Sequence, residues 1–265
     1  MSDPRELIFS RIAGRTVTAA IVTTEPGIMA NVERAVSAAE DLGLAVEYAV
    51  AEGKPVSAGE EVLRVSGAPL AIAACDERIP GMLAKPSGIA TATRAFVEQA
   101  GGQLRVVSGA WKKLPSSHKD MIRSAITIGG AEPRIAQWPF VYLDKIFVEM
   151  LGGVRASLAE VAEQTPLAGH RRVIQVTSAA AACEAAECGA DIVFVDTGNP
   201  ADVNAAADAL RQAGMRGQVE LAFGGGVTLS DLPVLRELDL DIVDVGRAIV
   251  DADLLDMRLR MVRTR

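Results

Sequence analysis

Val219-Glu220-Leu221-Ala222, running on into Gly224-Gly225-Gly226, is followed by Asp241-Ile242-Val243-Asp244-Val245, running into Gly246-Arg247. Both are short, mostly apolar runs that read as strands, and each leads through glycine into a segment with helical spacing. Glycine at a strand end lets the backbone take positive φ and come close to a ligand. The helix that follows turns free N–H groups and a positive dipole end toward the same spot. Two successive late strands ending this way match the phosphate end of a (β/α) barrel, at the C-terminal face after its last strands. Gly224, Gly225, Gly226 and Gly246 are therefore candidate phosphate-binding positions, with Arg247 adding a charge-assisted contact. Taken singly, each glycine run also fits a tight βα turn that holds nothing.

Upstream the same rhythm continues. Strand-like runs occur at Gln103–Val107, Phe140–Leu143, Val173–Val176 and Asp191–Val195, with helices near Ala179–Cys188, Ala201–Ala213 and Leu229–Leu235. Short apolar strands alternating with helices mean a parallel sheet covered by helices. The first hundred residues read differently. A short helix at Pro4–Ile12, strands at Thr16–Val22, Leu44–Val50 and Glu61–Val65, and a helix at Ile28–Leu42 precede alanine-rich helices at Leu70–Leu83 and Ile89–Ala100. The expectation is an α/β protein of two domains, 1–101 and 102–265, jointed at Gly101-Gly102.

With 49% hydrophobic and 23% charged residues, the 265-residue chain has the composition of an ordinary globular protein. Its formal net charge of −7, with no basic tract, argues against nucleic acid as a partner. The three cysteines, Cys75, Cys183 and Cys188, lack framework spacing and read as reduced, small buried groups. Two histidines without clustering offer no zinc site, and His118 and His170 read as structural or surface residues. No signal core and no apolar run near the roughly 18–20 residues of a bilayer span is present, so a cytoplasmic protein without membrane association is expected.

Several polar residues fall at strand ends, where a barrel presents its ligand mouth. Asp196 suits ribose hydroxyls or a Mg²⁺ ion, or a turn. Lys145 and the pair Lys112-Lys113 suit a di- or pyrophosphate, a Schiff base, or plain solvation. Arg134 follows Gly129-Gly130, a second place for close backbone approach. Trp111 and Trp138 stack on a flat ring or simply pack.

Ser87-Gly88-Ile89-Ala90-Thr91-Ala92-Thr93-Arg94 resembles the Ser-Gly-Ile-Ala-Thr-x-Thr-Arg motif of the quinolinate phosphoribosyltransferases, or nicotinate-nucleotide pyrophosphorylases (carboxylating). The resemblance spans nearly the whole chain. Gly43–Gly67 resembles the family's N-terminal sandwich, and Glu77-Arg78 stands at the expected distance before the motif. Lys112-Lys113-Leu114-Pro115 resembles Arg-Lys-Thr-x-Pro, 129–134 resembles Gly-Gly-Gly-x-x-His-Arg, and Leu143-Asp144-Lys145 resembles Leu-Ile-Lys. Ile174-Gln175-Val176, Val195-Asp196, Gly225-Gly226 and Val245-Gly246 fall on the family's Glu-Val-Glu-Val, Leu-Asp, Ser-Gly-Gly and Val-Gly-Ala elements in order.

The resemblance implies an N-terminal open α/β sandwich and a C-terminal incomplete (β/α) barrel. It implies a homodimer or larger assembly in which Arg78 enters the partner's site. It implies transfer of ribosyl 5-phosphate from phosphoribosyl pyrophosphate to a pyridine nitrogen, with Mg²⁺ held through Asp196 and the position of Gln175, and an oxocarbenium-like transition state. Lys112, Arg134, Lys145, Arg78 and Asp196 inherit the catalytic positions.

This sequence also departs from the family. Trp111 stands at an arginine position and Pro133 at a histidine position of the group that holds quinolinate's two carboxylates. Gln175 and Ala222 stand where glutamates are usual, with Glu220 two positions before Ala222, and Ile146-Phe147-Val148 replaces Asp-Asn-His. A flat ring that is neutral or carries one negative charge, stacked on Trp111, fits better than quinolinate. Three readings follow. One is a phosphoribosyltransferase with another acceptor. The second is a lyase or aldolase using Lys145 or Lys112. The third is a nucleotide-binding homologue without turnover.

Overall fold

The computed structural model describes residues 3–262. The strands of its two main sheets are, in chain order, β1 (Val17–Thr23), β2 (Ala45–Ala49), β3 (Glu61–Gly67), β4 (Arg105–Val107), β5 (Phe140–Leu143), β6 (Arg171–Val176), β7 (Ile192–Asp196), β8 (Glu220–Gly224), β9 (Ile242–Asp244) and β10 (Met257–Met261). The chain separates into two compact units. One holds the residues up to Arg94 together with Leu114–Gly130 and the chain from Asp251 on; the other holds Ala95–Lys113 and Ala131–Val250. The division is thus not the single cut at Gly101-Gly102 that the sequence reading drew.

The first unit is built on a four-stranded sheet ordered β10-β1-β3-β2, in which β1 pairs antiparallel with both neighbours. Met257, Leu259 and Met261 alternate with Arg258 and Arg260, the pattern of a strand with one covered face. Against the sheet pack Val32, Ala35 and Ala39 from helix Val32–Asp41, and Ile72, Cys75, Ile79 and Leu83 from helix Pro69–Ala100. The spacing of the second set, three and four residues, keeps one stripe of the helix on the core. Burial raises the Cys75 thiol to about 11, so it behaves as a small apolar group. Cys183 and Cys188 are only half-buried, unlike the expectation for them.

Pro69–Ala100 is one helix with Pro80 and Pro86 inside it, where two helices were expected. Each proline removes one N–H from the ladder, but the turn after Pro86 is held from outside. Ser87 Oγ accepts from the Ala30 amide at 3.0 Å and Thr91 Oγ1 from the Ile28 amide at 2.8 Å. Gly88 lies so close to the Asp253 carbonyl that a Cβ would stand 1.9 Å from it. A Cβ on Gly129 would stand 2.4 Å from Thr93 Cβ, so helix Lys119–Gly129 rests directly on this segment. Arg94 Nε closes the far end by donating to the Gly129 carbonyl at 3.0 Å. The Ser-Gly-Ile-Ala-Thr-x-Thr-Arg segment is thereby a packing device of this unit.

The second unit is a parallel sheet of six strands ordered β4-β9-β8-β7-β6-β5, with helices between successive strands. Its first and last strands, β4 and β5, are not paired with each other, which leaves the barrel open there; a bridge from Val107 to Glu132 covers part of the edge. This is the α/β architecture expected, with its barrel incomplete. The interior is filled by Val107, Val173, Ile192, Phe194, Ala222 and Ile242, with Phe140 and Tyr142 against them. At the N-terminal end of the strands Glu220 receives Arg105 and Arg171, and Arg105 also meets Glu132. Burial pushes the Glu220 carboxyl up, but Arg171 and Arg105 together outweigh it and hold the group below the usual carboxylate range. Glu220 therefore does not stand in for a carboxylate at the mouth two positions further on; Ala222 is fully buried core.

Candidate active site

Most of the candidate residues gather at the C-terminal ends of the barrel strands, as last strand residues or in the segments that follow. After β8 the chain turns through Gly225 and Gly226, at φ +109° and +93°. Gly224 is still a strand residue; a Cβ there would press on the Phe194 ring at 2.8 Å, so this glycine makes room inside the barrel. Its carbonyl accepts from Gly198 N–H at 2.9 Å, which ties the loop after β8 to the loop after β7. Gly246 precedes the short helix Arg247–Val250 and begins its turn by accepting from Ile249 N–H at 3.2 Å.

Asp196 closes β7 and is exposed. The Gln175 side chain donates from Nε2 to Asp196 and accepts at Oε1 from the Lys145 backbone N–H at 2.9 Å. Three neighbouring strand ends are thereby laced into one chain of hydrogen bonds. Lys145 opens helix Lys145–Met150, whose N-cap is Asp144, with Oδ1 accepting from Ile146 N–H at 3.0 Å and Phe147 N–H at 3.2 Å. Ile146 and Phe147 themselves are exposed. Asp144→Ala is expected to cost about 1 kcal/mol of stability by loss of the cap, read as a small fall in melting temperature together with weaker phosphate binding.

After β4 the chain makes a turn of 3-10 helix, Ala110–Lys113. Trp111 Nε1 donates to the Pro133 carbonyl at 2.6 Å, and the Arg134 guanidinium lies over its ring, 5.4 Å from the centroid. Lys112 Nζ lies 5.5 Å from the centroid of the Tyr142 ring. Both contacts place a cation on an aromatic face. Trp138 lies edge-on to Phe140 and His170 and lines a surface recess together with Pro133 and Arg134. Arg78 is exposed on helix Pro69–Ala100 in the other unit.

Two mouth residues escaped the sequence reading. Asp244 ends β9, and its Oδ1 accepts from Gly109 N–H at 3.2 Å. Burial, then the charge of Asp196, raises its carboxyl to about 6 against the pull of the Gly109 amide and of Lys112 and Lys113. Tyr142 lies inside the mouth, and burial, then Asp244, Asp196 and Asp144, raises its hydroxyl well above the usual range. The signal for both was strand parity. Asp244 shares a face with Ile242, and Tyr142 with Phe140.

Residues 6–87 match the quinolinate phosphoribosyl transferase N-terminal domain, and residues 89–260 match the C-terminal domain of the same enzymes. The chain belongs to the quinolinate phosphoribosyltransferase family. An Archaeoglobus fulgidus protein named "Probable nicotinate-nucleotide pyrophosphorylase [carboxylating]" is 29% identical over 95% of this chain and 97% of its own. A Rhodobacter capsulatus protein named "Putative pyrophosphorylase ModD" is 29% identical over 77% of this chain and 78% of its own. The fold is also that of nicotinate-nucleotide pyrophosphorylase from Ehrlichia chaffeensis, with a TM-score of 0.85 over 97% of this chain and 92% of the other, at 16% identity.

The quinolinate phosphoribosyltransferase family implies a divalent cation. Magnesium accepts one or two carboxylates and takes its remaining oxygens from water and substrate phosphates. Among the described residues no group of three or more His, Cys, Asp or Glu side chains is placed to hold a metal. Gln175 turns its N–H₂ to Asp196 and spends its oxygen on Lys145, so it is badly placed as a ligand. Asp196 remains, and it suits the ion only together with a bound pyrophosphate. Among the described residues no helix is long and apolar enough to cross a membrane.

Proposed function

We propose that this chain transfers ribosyl 5-phosphate from phosphoribosyl pyrophosphate to a ring nitrogen of a small acceptor other than quinolinate. The observation that carries the reading is the Trp111–Pro133–Arg134 group. Quinolinate brings two adjacent carboxylates and needs cations that face them. Here Trp111 stands at one cation position and spends its N–H on a carbonyl, while Arg134 lies along its ring. A charged ligand that loses a buried hydrogen-bonding partner binds several kcal/mol less tightly. A flat ring with at most one negative charge meets no such penalty and gains the indole and phenol faces.

In this reading the loop at Gly225 and Gly226, Gly246 with Arg247, and Lys145 receive the phosphates. Asp196 receives ribose hydroxyls or, with the pyrophosphate, a magnesium ion, which supplies charge stabilisation to the leaving group when bound. Lys112 faces the developing negative charge. Assembly into a homodimer, with Arg78 of one protomer at the partner's mouth, belongs to the same reading. Both Lys112 and Lys145 are exposed, which withholds the desolvation a Schiff-base lysine needs and disfavours a lyase.

The test is a calorimetric titration with phosphoribosyl pyrophosphate, with and without Mg²⁺, beside quinolinate and nicotinate mononucleotide. Binding of phosphoribosyl pyrophosphate with quinolinate silent supports the reading. Quinolinate binding as tightly as phosphoribosyl pyrophosphate would reject the acceptor assignment, and silence of all three would reject the transferase. In the same assay Trp111→Arg is expected to raise quinolinate affinity about tenfold or more, equivalent to roughly 1.4 kcal/mol.

A further inference from the structure

We propose that Asp244 is the general base of this transfer, and that the acceptor is accordingly a ring with an ionisable N–H, of the azole, purine or pyrimidinone class. The inference rests on the phosphoribosyl transfer proposed above and adds the chemistry of the acceptor to it.

Position comes first. Gly224 pairs with Asp196 across the sheet, and a Cβ on Gly224 would stand 3.3 Å from Asp244 Cβ on the other side. The two carboxylates therefore flank a residue without a side chain, on the inner face of the barrel at its C-terminal end. The Phe194 ring fills the space directly over Gly224, so a ring and a ribose C1 would share the mouth beyond it, between the two carboxylates. Orientation comes next. Gly109 N–H fixes Asp244 Oδ1 at 3.2 Å, leaving the second oxygen to face a ligand. The groups that surround this carboxyl from the neighbouring elements are Asp196, Lys112, Lys113 and Tyr142. With its carboxyl raised to about 6, Asp244 is ionised at neutral pH yet more basic than an ordinary aspartate.

The chemistry then separates two acceptor classes. A pyridine nitrogen attacks C1 with a free lone pair and loses no proton, so it leaves Asp244 without work. A pyridine dicarboxylate would also be repelled by it. An N–H ring must give up its proton as the bond forms. The ring nitrogen bonds to C1, the C1–O bond to pyrophosphate breaks with its electron pair leaving on pyrophosphate, and the N–H proton passes to Asp244. Nothing is oxidised or reduced. The Tyr142 ring, with Lys112 on its face, offers a wall on which such a ring would lie.

The experiment measures pyrophosphate release from phosphoribosyl pyrophosphate and Mg²⁺ with imidazole, hypoxanthine and uracil as N–H acceptors, and with nicotinate, nicotinamide and quinolinate as pyridines. At least one N–H ring is expected to turn over and the pyridines to stay silent. Asp244→Asn keeps shape and an acceptor for Gly109 N–H, and is expected to lower kcat for that ring about 100-fold or more. Calorimetric affinity for phosphoribosyl pyrophosphate should change less than about threefold, because the variant removes a proton acceptor and no phosphate contact. The inference is overturned if a pyridine is the better acceptor, if all N–H rings are silent while phosphoribosyl pyrophosphate binds, or if Asp244→Asn turns over at the wild-type rate. If phosphoribosyl pyrophosphate itself does not bind, the transferase reading falls, and the inference with it. The wild-type acceptor panel decides the matter even if the variant fails to fold.

Discussion

Gly225→Ala is expected to lower the melting temperature by roughly 5–15 °C and to abolish measurable phosphoribosyl pyrophosphate binding. Two costs add at this position. Its φ of +109° is a conformation that side chains strain to adopt. A Cβ there would also stand 2.4 Å from Gly198 N and 2.7 Å from Gly198 Cα, both backbone atoms with nothing flexible to yield. Conformational strain of about 1–2 kcal/mol and overpacking of about 1–3 kcal/mol then fall on one residue. The neighbour is the control. Gly226 has φ +93° but no atom within 4 Å of its would-be Cβ, so Gly226→Ala should show the conformational cost alone. Calorimetric melting of the two variants separates the contributions. Equal melting temperatures would show that the loops after β7 and β8 do not meet in solution.

The second large effect concerns stability against pH. A free aspartate titrates near 4, whereas Asp244 is raised to about 6, by burial first and by Asp196 next. Between these values the folded protein keeps a proton that the unfolded chain has released. Ionising the buried carboxyl therefore works against folding. The stability tied to this group is fully present below about pH 4 and declines as pH rises through 6. Asp244→Asn removes that dependence and is expected to stabilise the protein at pH 8 by on the order of 1–3 kcal/mol, with little change at pH 4. Urea unfolding at the two pH values measures it. An equal effect at both would mean that the Asp244 carboxyl is well solvated. A carboxylate kept where it costs stability is the usual mark of a group held for function.

The parts of the architecture legible in the sequence are those carried by local pattern. The apolar strands that run into Gly225-Gly226 and Gly246 needed only periodicity and glycine chemistry, and Asp196 stood out as a charge ending an apolar run. What was missed depends on long-range arrangement. Whether Asp244 faces the barrel or its helices is a question of parity, which is settled only once Ile242 is known to lie inside. The helix through Pro86 was read as two because a proline ordinarily ends a helix, and the amides of Ile28 and Ala30 that steady it come from far along the chain. Met257–Met261 alternates as a strand should, yet its partner lies more than two hundred residues upstream, so nothing nearby marked it. Trp111 was visible as a departure, but its engagement by Pro133 and Arg134 was not.

That last strand sets a timetable for the molecule's birth. Residues of the barrel unit have all been made once Val250 leaves the ribosome, and their parallel pairings can then close among themselves. The sheet of the other unit must wait, because β1 pairs with β3 along one edge early but finds partners for the other edge, Ala19 through Thr23, only at Met257–Met261. In the interval one edge of β1 offers unpaired amides and carbonyls, a template for joining the wrong chain. The exposure lasts until Met257–Met261 docks. It reopens whenever the final strand frays.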